Sequence, residues 1–316
     1  MKLQTKVPIK KEIYAPINYQ SKLALFGSCF SENIGEKLKY YKFQSFQNPF
    51  GISFHPKAIE NSITKSINDY SYTESDVFLA NERWHSFDAH SSVSTSSKEE
   101  LITALNTGLQ TTKTQLQEAT HIIITLGTAW VYRFIETDKI VANCHKLSQK
   151  KFLKELLSVD EIIGSLQAII TLIQMTNKHV SILFTVSPVR HLKDGFVQNQ
   201  ISKSQLIAAI HELVDPRKKL HYFPSYELMM DELRDYRFYC EDMVHPNTTA
   251  INYIWERFSE AWVDDQSHST MQQICSIQKG IQHKPFNTNS LEHQKFLQNL
   301  NNKIESLQKK YPFFEF

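Results

Sequence analysis

Apolar residues along the chain fall into two rhythms. Three short runs, Leu23 to Phe26, Ile122 to Leu126 and Val180 to Val186, are mostly apolar and rich in β-branched or leucine side chains. Their length and lack of alternation predict strands buried on both faces, as in a parallel sheet. A shorter strand is expected over Leu220 to Phe223, stopped by Pro224. Other segments repeat every three or four positions and predict helices: Phe30 to Tyr40; Leu101, Ile102, Leu105 and Leu109; and Ile162, Ile163, Leu166, Ile169, Ile170 and Ile173. After Pro246, Ile251, Ile254, Trp255 and Phe258 mark one more. Strands alternating with helices predict an α/β fold, a three-layer doubly wound and mostly parallel sheet with right-handed crossovers. This unit is expected over residues 1–263, followed by a C-terminal helical extension over 264–316. The extension is rich in glutamine and asparagine, and Phe296, Leu300, Ile304 and Leu307 give it an amphipathic helix. It is expected to pack on the core or to meet a second copy in a homodimer. Two stretches interrupt the alternation: Asn81 to Lys98, expected as a long loop or small hairpin, and Trp130 to Ile140, expected as a β-hairpin.

Composition narrows the function classes. With 316 residues and 41% hydrophobic content, the chain can bury one large core and an appendage. Basic and acidic residues nearly balance, 35 against 33, and no dense basic block with interleaved aromatics occurs, so nucleic acid is not the expected partner. Met1 to Lys11 carries lysines without the apolar core of a signal peptide, and no run has the length of a membrane span. Cys29, Cys144, Cys240 and Cys275 are dispersed, which argues against zinc-ribbon and thioredoxin-like sites and predicts a reduced, cytoplasmic setting. The thirteen histidines are spaced irregularly, with no ligand pair, so no metal and no cofactor are expected.

The candidate chemistry sits at two remote places. The first apolar run ends in Gly27-Ser28-Cys29, which puts a hydroxyl at the carboxyl end of a buried strand, where α/β sheets open onto their ligand crevice. The helix that follows points its amino terminus at Ser28, a setting that favours developing negative charge. Downstream, Asp242-Met243-Val244-His245-Pro246 offers a carboxylate and an imidazole three residues apart. Asp242 can fix the tautomer of His245, whose other nitrogen can take the Ser28 proton; nucleophile, base and orienting acid are then all present. The serine follows the first strand and lacks the Gly-x-Ser-x-Gly elbow of α/β-hydrolases. Adjacent residues leaving a strand diverge, so Cys29 is expected to pack inward when Ser28 faces the histidine.

Gly27-Ser28-Cys29-Phe30, Asn48-Pro49-Phe50-Gly51, Leu126-Gly127-Thr128-Ala129-Trp130, Asn143-Cys144-His145-Lys146 and Ser187-Pro188-Val189-Arg190 together resemble the GSCFA-domain family, which looks like a branch of the SGNH hydrolase group. The resemblance spans roughly residues 20–250. It implies an SGNH hydrolase-like, flavodoxin-like fold and the triad Ser28, Asp242 and His245. It also implies oxyanion donors at the Ser28 backbone, at Gly51, and at Gly127-Thr128, where Thr128 stands in place of the group's asparagine. The implied activity is hydrolysis of an O-acylated carbohydrate or another small polar ester. The alternatives are an O-acyltransferase with the same triad and a non-catalytic ligand-binding protein that keeps the fold. Trp130 is expected either to wall the acyl pocket or to pack in the core. His85 and His145 are expected to line the crevice and bind polar groups of the substrate. Arg190, beside His191 and Lys193, forms a basic patch suited either to solvent or to an anionic group.

Overall fold

The computed structural model describes residues 5–316; the first four, part of the amino-terminal segment read above, lie outside the described residues. The chain begins its sheet with β1 (Lys22–Gly27), α1 (Cys29–Tyr40) and β2 (Gln44–Gln47), then runs through α2 (Pro56–Ile67). A hairpin of β3 (Phe78–Ala80) and β4 (Arg83–His85) precedes α3 (Lys98–Glu118) and β5 (His121–Leu126). After β5 come β6 (Trp130–Phe134), β7 (Lys139–Val141), β8 (Phe152–Leu156) and α4 (Val159–Thr176). The main sheet resumes with β9 (Ser181–Val186), α5 (Phe196–Leu213) and β10 (Leu220–Phe223). A single turn, α6 (Ser225–Glu227), leads to α7 (Thr248–Trp262), α8 (Asp265–Gln282) and α9 (Leu291–Lys310).

Five parallel strands form the sheet in the order β10-β9-β5-β1-β2. The direction of winding reverses between β1 and β5, which makes their carboxyl ends the topological switch point where such sheets bind ligands. Side chains alternate across the sheet. Leu23 and Leu25 of β1 join Ile123, Leu183 and Phe223 under α1 and α7. Ala24 and Phe26 join Ile122, Ile124, Ile182 and Phe184 under α2, α4 and α5. The fold is therefore a doubly wound α/β sandwich with both faces covered. Helices α8 and α9 turn Ile274, Ile277, Leu300 and Leu307 into the first of these cores, and Phe314 beyond α9 packs against Tyr19. No helix among the described residues is long and apolar enough to cross a membrane.

The two interruptions fold as small sheets. The β3–β4 hairpin starts earlier than expected and turns at Asn81 and Glu82, both with positive φ, the backbone a tight two-residue hairpin demands. The expected β6–β7 hairpin gains a third strand, β8, whose Phe-Leu-Lys-Glu-Leu sequence lacks a continuous apolar run.

Gly27 ends β1 with φ at +134°, and a methyl group there would collide with the main chain of Thr125 on β5. Only glycine lets the strand approach its neighbour this closely before turning into α1. Gly27→Ala is expected to destabilise the protein by roughly 3 kcal/mol or more, because backbone strain and overpacking act on the same residue. A thermal or denaturant melt checks this; an unchanged midpoint would show that the β1–α1 junction can shift.

Candidate active site

Ser28 follows Gly27 as the N-cap residue of α1 but makes no capping bond with its side chain. It is 1% exposed, and its Oγ is buried with no hydrogen-bond partner among the described residues. Buried hydroxyls are nearly always paired, so this one requires an explanation. Across from it, Gly127 closes β5 so tightly that a Cβ there would lie 3.3 Å from Ser28 Cβ and 3.4 Å from His191 Nε2. Ser28 and His191 therefore both border the space that a side chain at Gly127 would fill.

Asp242 and His245 share one tight turn. His245 Nδ1 lies 2.7 Å from Asp242 Oδ2, while Oδ1 accepts the backbone N–H groups of Val244 (2.8 Å) and His245 (3.0 Å). Met243, between them, takes φ +55° to close the turn. These N–H groups and the imidazole pull the Asp242 carboxyl down to about 2, so it stays ionised and holds the proton on Nδ1, leaving Nε2 as the basic nitrogen. Asn247 locks the segment below: its amide donates to Arg237 O and Tyr239 O, and its Oδ1 caps α7 at Ala250 N.

The loop after β9 carries this turn to the carboxyl edge of the sheet. Arg190 N–H donates to Val244 O at 3.2 Å, and its Nη1 donates to Met243 O at 3.0 Å. The guanidinium also lies against the rings of Phe196, Tyr236 and Tyr239. Arg190 is thus a clamp on the Asp242–His245 turn more than part of a solvated patch. Burial first, then the neighbouring Lys203 and His245, pull the pKa of His191, next in the chain, down to about 3, so it is neutral at pH 7. No hydrogen bond joins Ser28 to His245, whose side chain is 48% exposed while Ser28 is enclosed. Catalytic bonds are often long before substrate arrives.

The expected oxyanion donors are arranged differently. The Ser28 N–H donates to Thr125 O at 3.1 Å. The Gly51 N–H closes its own turn onto Asn48 O at 2.8 Å, and Gly51 backs onto His90 and Ser92. Gly127 and Thr128 both donate to Phe54 O, at 2.7 and 2.9 Å. The Thr128 hydroxyl is bonded to Ser202 Oγ and accepts from Trp130 N–H. Each of these groups is spent within the fold. The same holds for two histidines expected to bind substrate. Buried His85 uses its ring nitrogens on Ser94 Oγ and Ala80 O, and buried His145 on Ser91 Oγ and Ser86 O; the two rings pack 4.5 Å apart. Neither has a nitrogen left for a ligand. Trp130 is half-buried, donating its indole N–H to Gln198 O under the Lys154 ammonium.

Lys203 is a residue that sequence reasoning passed over. It is fully buried, donating to Gly127 O (2.6 Å) and Ser187 O (2.7 Å) and so tying together the chain leaving β5 and β9. Burial pulls its ammonium down to about 7. The signal was present in the spacing: Asn199, Ser202, Lys203, Leu206, Ala209 and Ile210 form the buried face of α5. A lysine at a core position of a helix is rarely tolerated without partners. Cys29 is only partly exposed, and burial pushes its thiol up, away from the thiolate a nucleophile needs. Among the described residues no group of His, Cys, Asp and Glu has the arrangement of a metal site.

No curated protein matches the chain. Among solved structures, a carbohydrate esterase family 3 from Talaromyces cellulolyticus aligns over 81% of this chain and 99% of its own, at 8% identity and a TM-score of 0.36. The model of the GSCFA family matches residues 22–258, and that of the GSCFA domain protein, C-terminal domain, matches residues 274–316. With most of its length matched in this way, and with Gly27-Ser28-Cys29-Phe30 at the junction of β1 and α1, this chain belongs to the GSCFA family.

Proposed function

We propose that the protein is a serine-dependent ester hydrolase of the SGNH type, acting on an O-acylated carbohydrate or another small polar ester. The observation that carries the reading is the unpartnered, buried hydroxyl of Ser28 at the carboxyl end of β1, on the sheet edge to which Arg190 clamps the Asp242–His245 turn. In the proposed reaction Ser28 Oγ attacks the ester carbonyl carbon while its proton passes to His245 Nε2. The tetrahedral adduct collapses when the alcohol leaves with that proton. Water, deprotonated by the same nitrogen, then attacks the acyl-serine, and the proton returns to Oγ. Asp242 holds the imidazole throughout and stabilises its charged form. A cavity of about 860 Å³ is lined by the amino-terminal segment from Val7 to Ala15 and by residues along the edge strand β10, from Lys219 to Pro224, and includes neither Ser28 nor His245. It lies at the wrong edge of the sheet for this chemistry. A smaller cleft of about 290 Å³, lined by Arg190, Phe196, Asn199, Tyr226 and Tyr239, adjoins the clamp and suits part of the substrate.

The spent main-chain donors favour one competing reading, a ligand-binding protein that keeps the fold without turnover. A fluorophosphonate probe separates the two, because phosphonylation requires an activated serine. The expected result is stoichiometric labelling at Ser28, slowed at least about 100-fold in His245→Ala and less in Asp242→Ala. The His245 side chain is half-exposed, so His245→Ala is expected to melt like wild type, whereas Asp242→Ala also removes the acceptor of two turn N–H groups and is expected to melt slightly lower. A folded wild-type protein that takes no label would favour the non-catalytic reading.

A further inference from the structure

We infer that the side-chain amide of Asn48 is the oxyanion donor of this site, taking the place of main-chain N–H groups that the fold uses elsewhere. The inference rests on the reading of Ser28 as nucleophile and extends it to a residue with no role so far. Asn48 follows β2 and continues its pairing with β1, its N–H donating to Leu25 O at 3.0 Å. Its φ of +41° lies in the left-handed region, where asparagine is among the few residues readily accommodated. This backbone turns the side chain back over the end of β1, where Oδ1 accepts the Gly27 N–H at 2.9 Å.

That bond fixes which end of the amide is which. Exchanging oxygen and nitrogen would set one N–H against another, so Nδ2 must be the atom pointing away from Gly27. There it is buried with no acceptor among the described residues. One residue along the chain, Ser28 Oγ is also buried and also unpartnered. An unused donor and an unused nucleophile beside the same glycine are complementary. The group that satisfies the donor is an acceptor oxygen bound to the atom the serine attacks, that is, an ester carbonyl becoming an alkoxide. A preorganised donor of this kind gains strength as the charge develops, without moving.

The experiment compares wild type, Asn48→Ala and Asn48→Asp on a short p-nitrophenyl ester, with an alkyl boronic acid as a probe that adds to the serine as a tetrahedral anion. Asn48→Asp keeps the size and the acceptor for Gly27 N–H but removes both N–H donors. Expected for both variants is a kcat lowered by about 10²- to 10³-fold, KM changed by less than about threefold, and boronate binding weakened in parallel with kcat. A merely structural Asn48 would behave differently: Asn48→Asp would recover the activity lost in Asn48→Ala, and any loss would track the melting temperature. Either variant retaining kcat within about threefold of wild type, while activity still depends on Ser28, would overturn the assignment and leave the hydrolase reading intact. A folded wild type that neither turns over the ester nor binds the boronate would instead remove the hydrolase reading, and this assignment with it.

Discussion

Ser28→Ala is expected to abolish ester turnover while leaving the protein at least as stable as wild type. Loss of an activated serine nucleophile from a complete triad costs on the order of 10⁴- to 10⁶-fold in kcat, because base and orienting acid have nothing left to act on. The stability half of the expectation comes from the hydroxyl's surroundings. Ser28 is 1% exposed and its Oγ makes no hydrogen bond among the described residues, so the folded state keeps a desolvated polar atom without compensation. Deleting it breaks no bond and removes that penalty, which places the expected change between zero and about 1 kcal/mol of added stability. A serine retained only as a helix cap would give the reverse, a loss of about 1 kcal/mol with activity unaffected. The pair of measurements therefore separates function from structure at one atom. Activity that survives Ser28→Ala but disappears in Cys29→Ala would move the nucleophile to the adjacent thiol, against the upward push that burial gives its pKa.

The sequence pattern made the sheet legible where burial is two-sided, and obscured it where burial is partial. β1, β5 and β9 sit within a residue of the apolar runs that predicted them, because strands covered on both faces are largely apolar, while β10, at the opposite edge from β2, was marked by buried Leu220 and Phe223 before Pro224. β2 was invisible: Gln44-Ser45-Phe46-Gln47 is a half-buried edge strand, paired on one side only, and needs no apolar run. α5 was missed because its buried face opens with Asn199, Ser202 and Lys203, polar residues held by tertiary partners. The site divides along the same line. Asp242 and His245 meet through a local turn that their spacing encodes, and Ser28 sits where a strand ends, so sequence alone could nominate all three. Which backbone N–H remains free near Ser28 is a long-range matter. The Phe54 carbonyl, remote in sequence from Gly127 and Thr128, takes both of their N–H groups, and nothing in the motif Leu-Gly-Thr-Ala-Trp announces it. Arg190 shows the same limit, since its clamp on Met243 and Val244 joins segments more than fifty residues apart.

Acid is expected to unfold this protein well above the pH at which its carboxylates are lost, because buried imidazoles are held neutral. His55 caps α2: its Nδ1 accepts Ala58 N–H at 3.2 Å while Nε2 donates to Val141 O at 3.1 Å. Protonating Nδ1 would destroy that cap in a site closed to water, and burial pulls the pKa down to about 4. His145, packed at a tilt against His85 with both nitrogens engaged, is likewise pulled down to about 4 by burial. In the unfolded chain each ring titrates near 6.5. Between these limits the unfolded state binds more protons than the folded one, so stability is fully present above about pH 6.5 and is lost as pH falls toward 4. The difference corresponds to roughly 3 kcal/mol per ring by pH 4, and to about 2 kcal/mol each already at pH 5. His191, pulled down to about 3, adds to the same trend. Against a usual total of about 5–15 kcal/mol, that sum is large enough to unfold the protein. His90, His121 and His221, all lowered by burial, act in the same direction, whereas Asp242, pulled down to about 2, loses its contribution only as pH falls through the carboxylate range, and Lys203, pulled down to about 7 from an ordinary lysine value, acts mainly above pH 7. Denaturant melts at pH 7, 6 and 5 are therefore expected to show falling midpoints, with a shallower fall in His55→Asn because that variant has one fewer ring to protonate. A midpoint that stays level from pH 7 to 5 would mean that these imidazoles can accept protons in place, and that the packing around them yields far more easily than their hydrogen bonds imply.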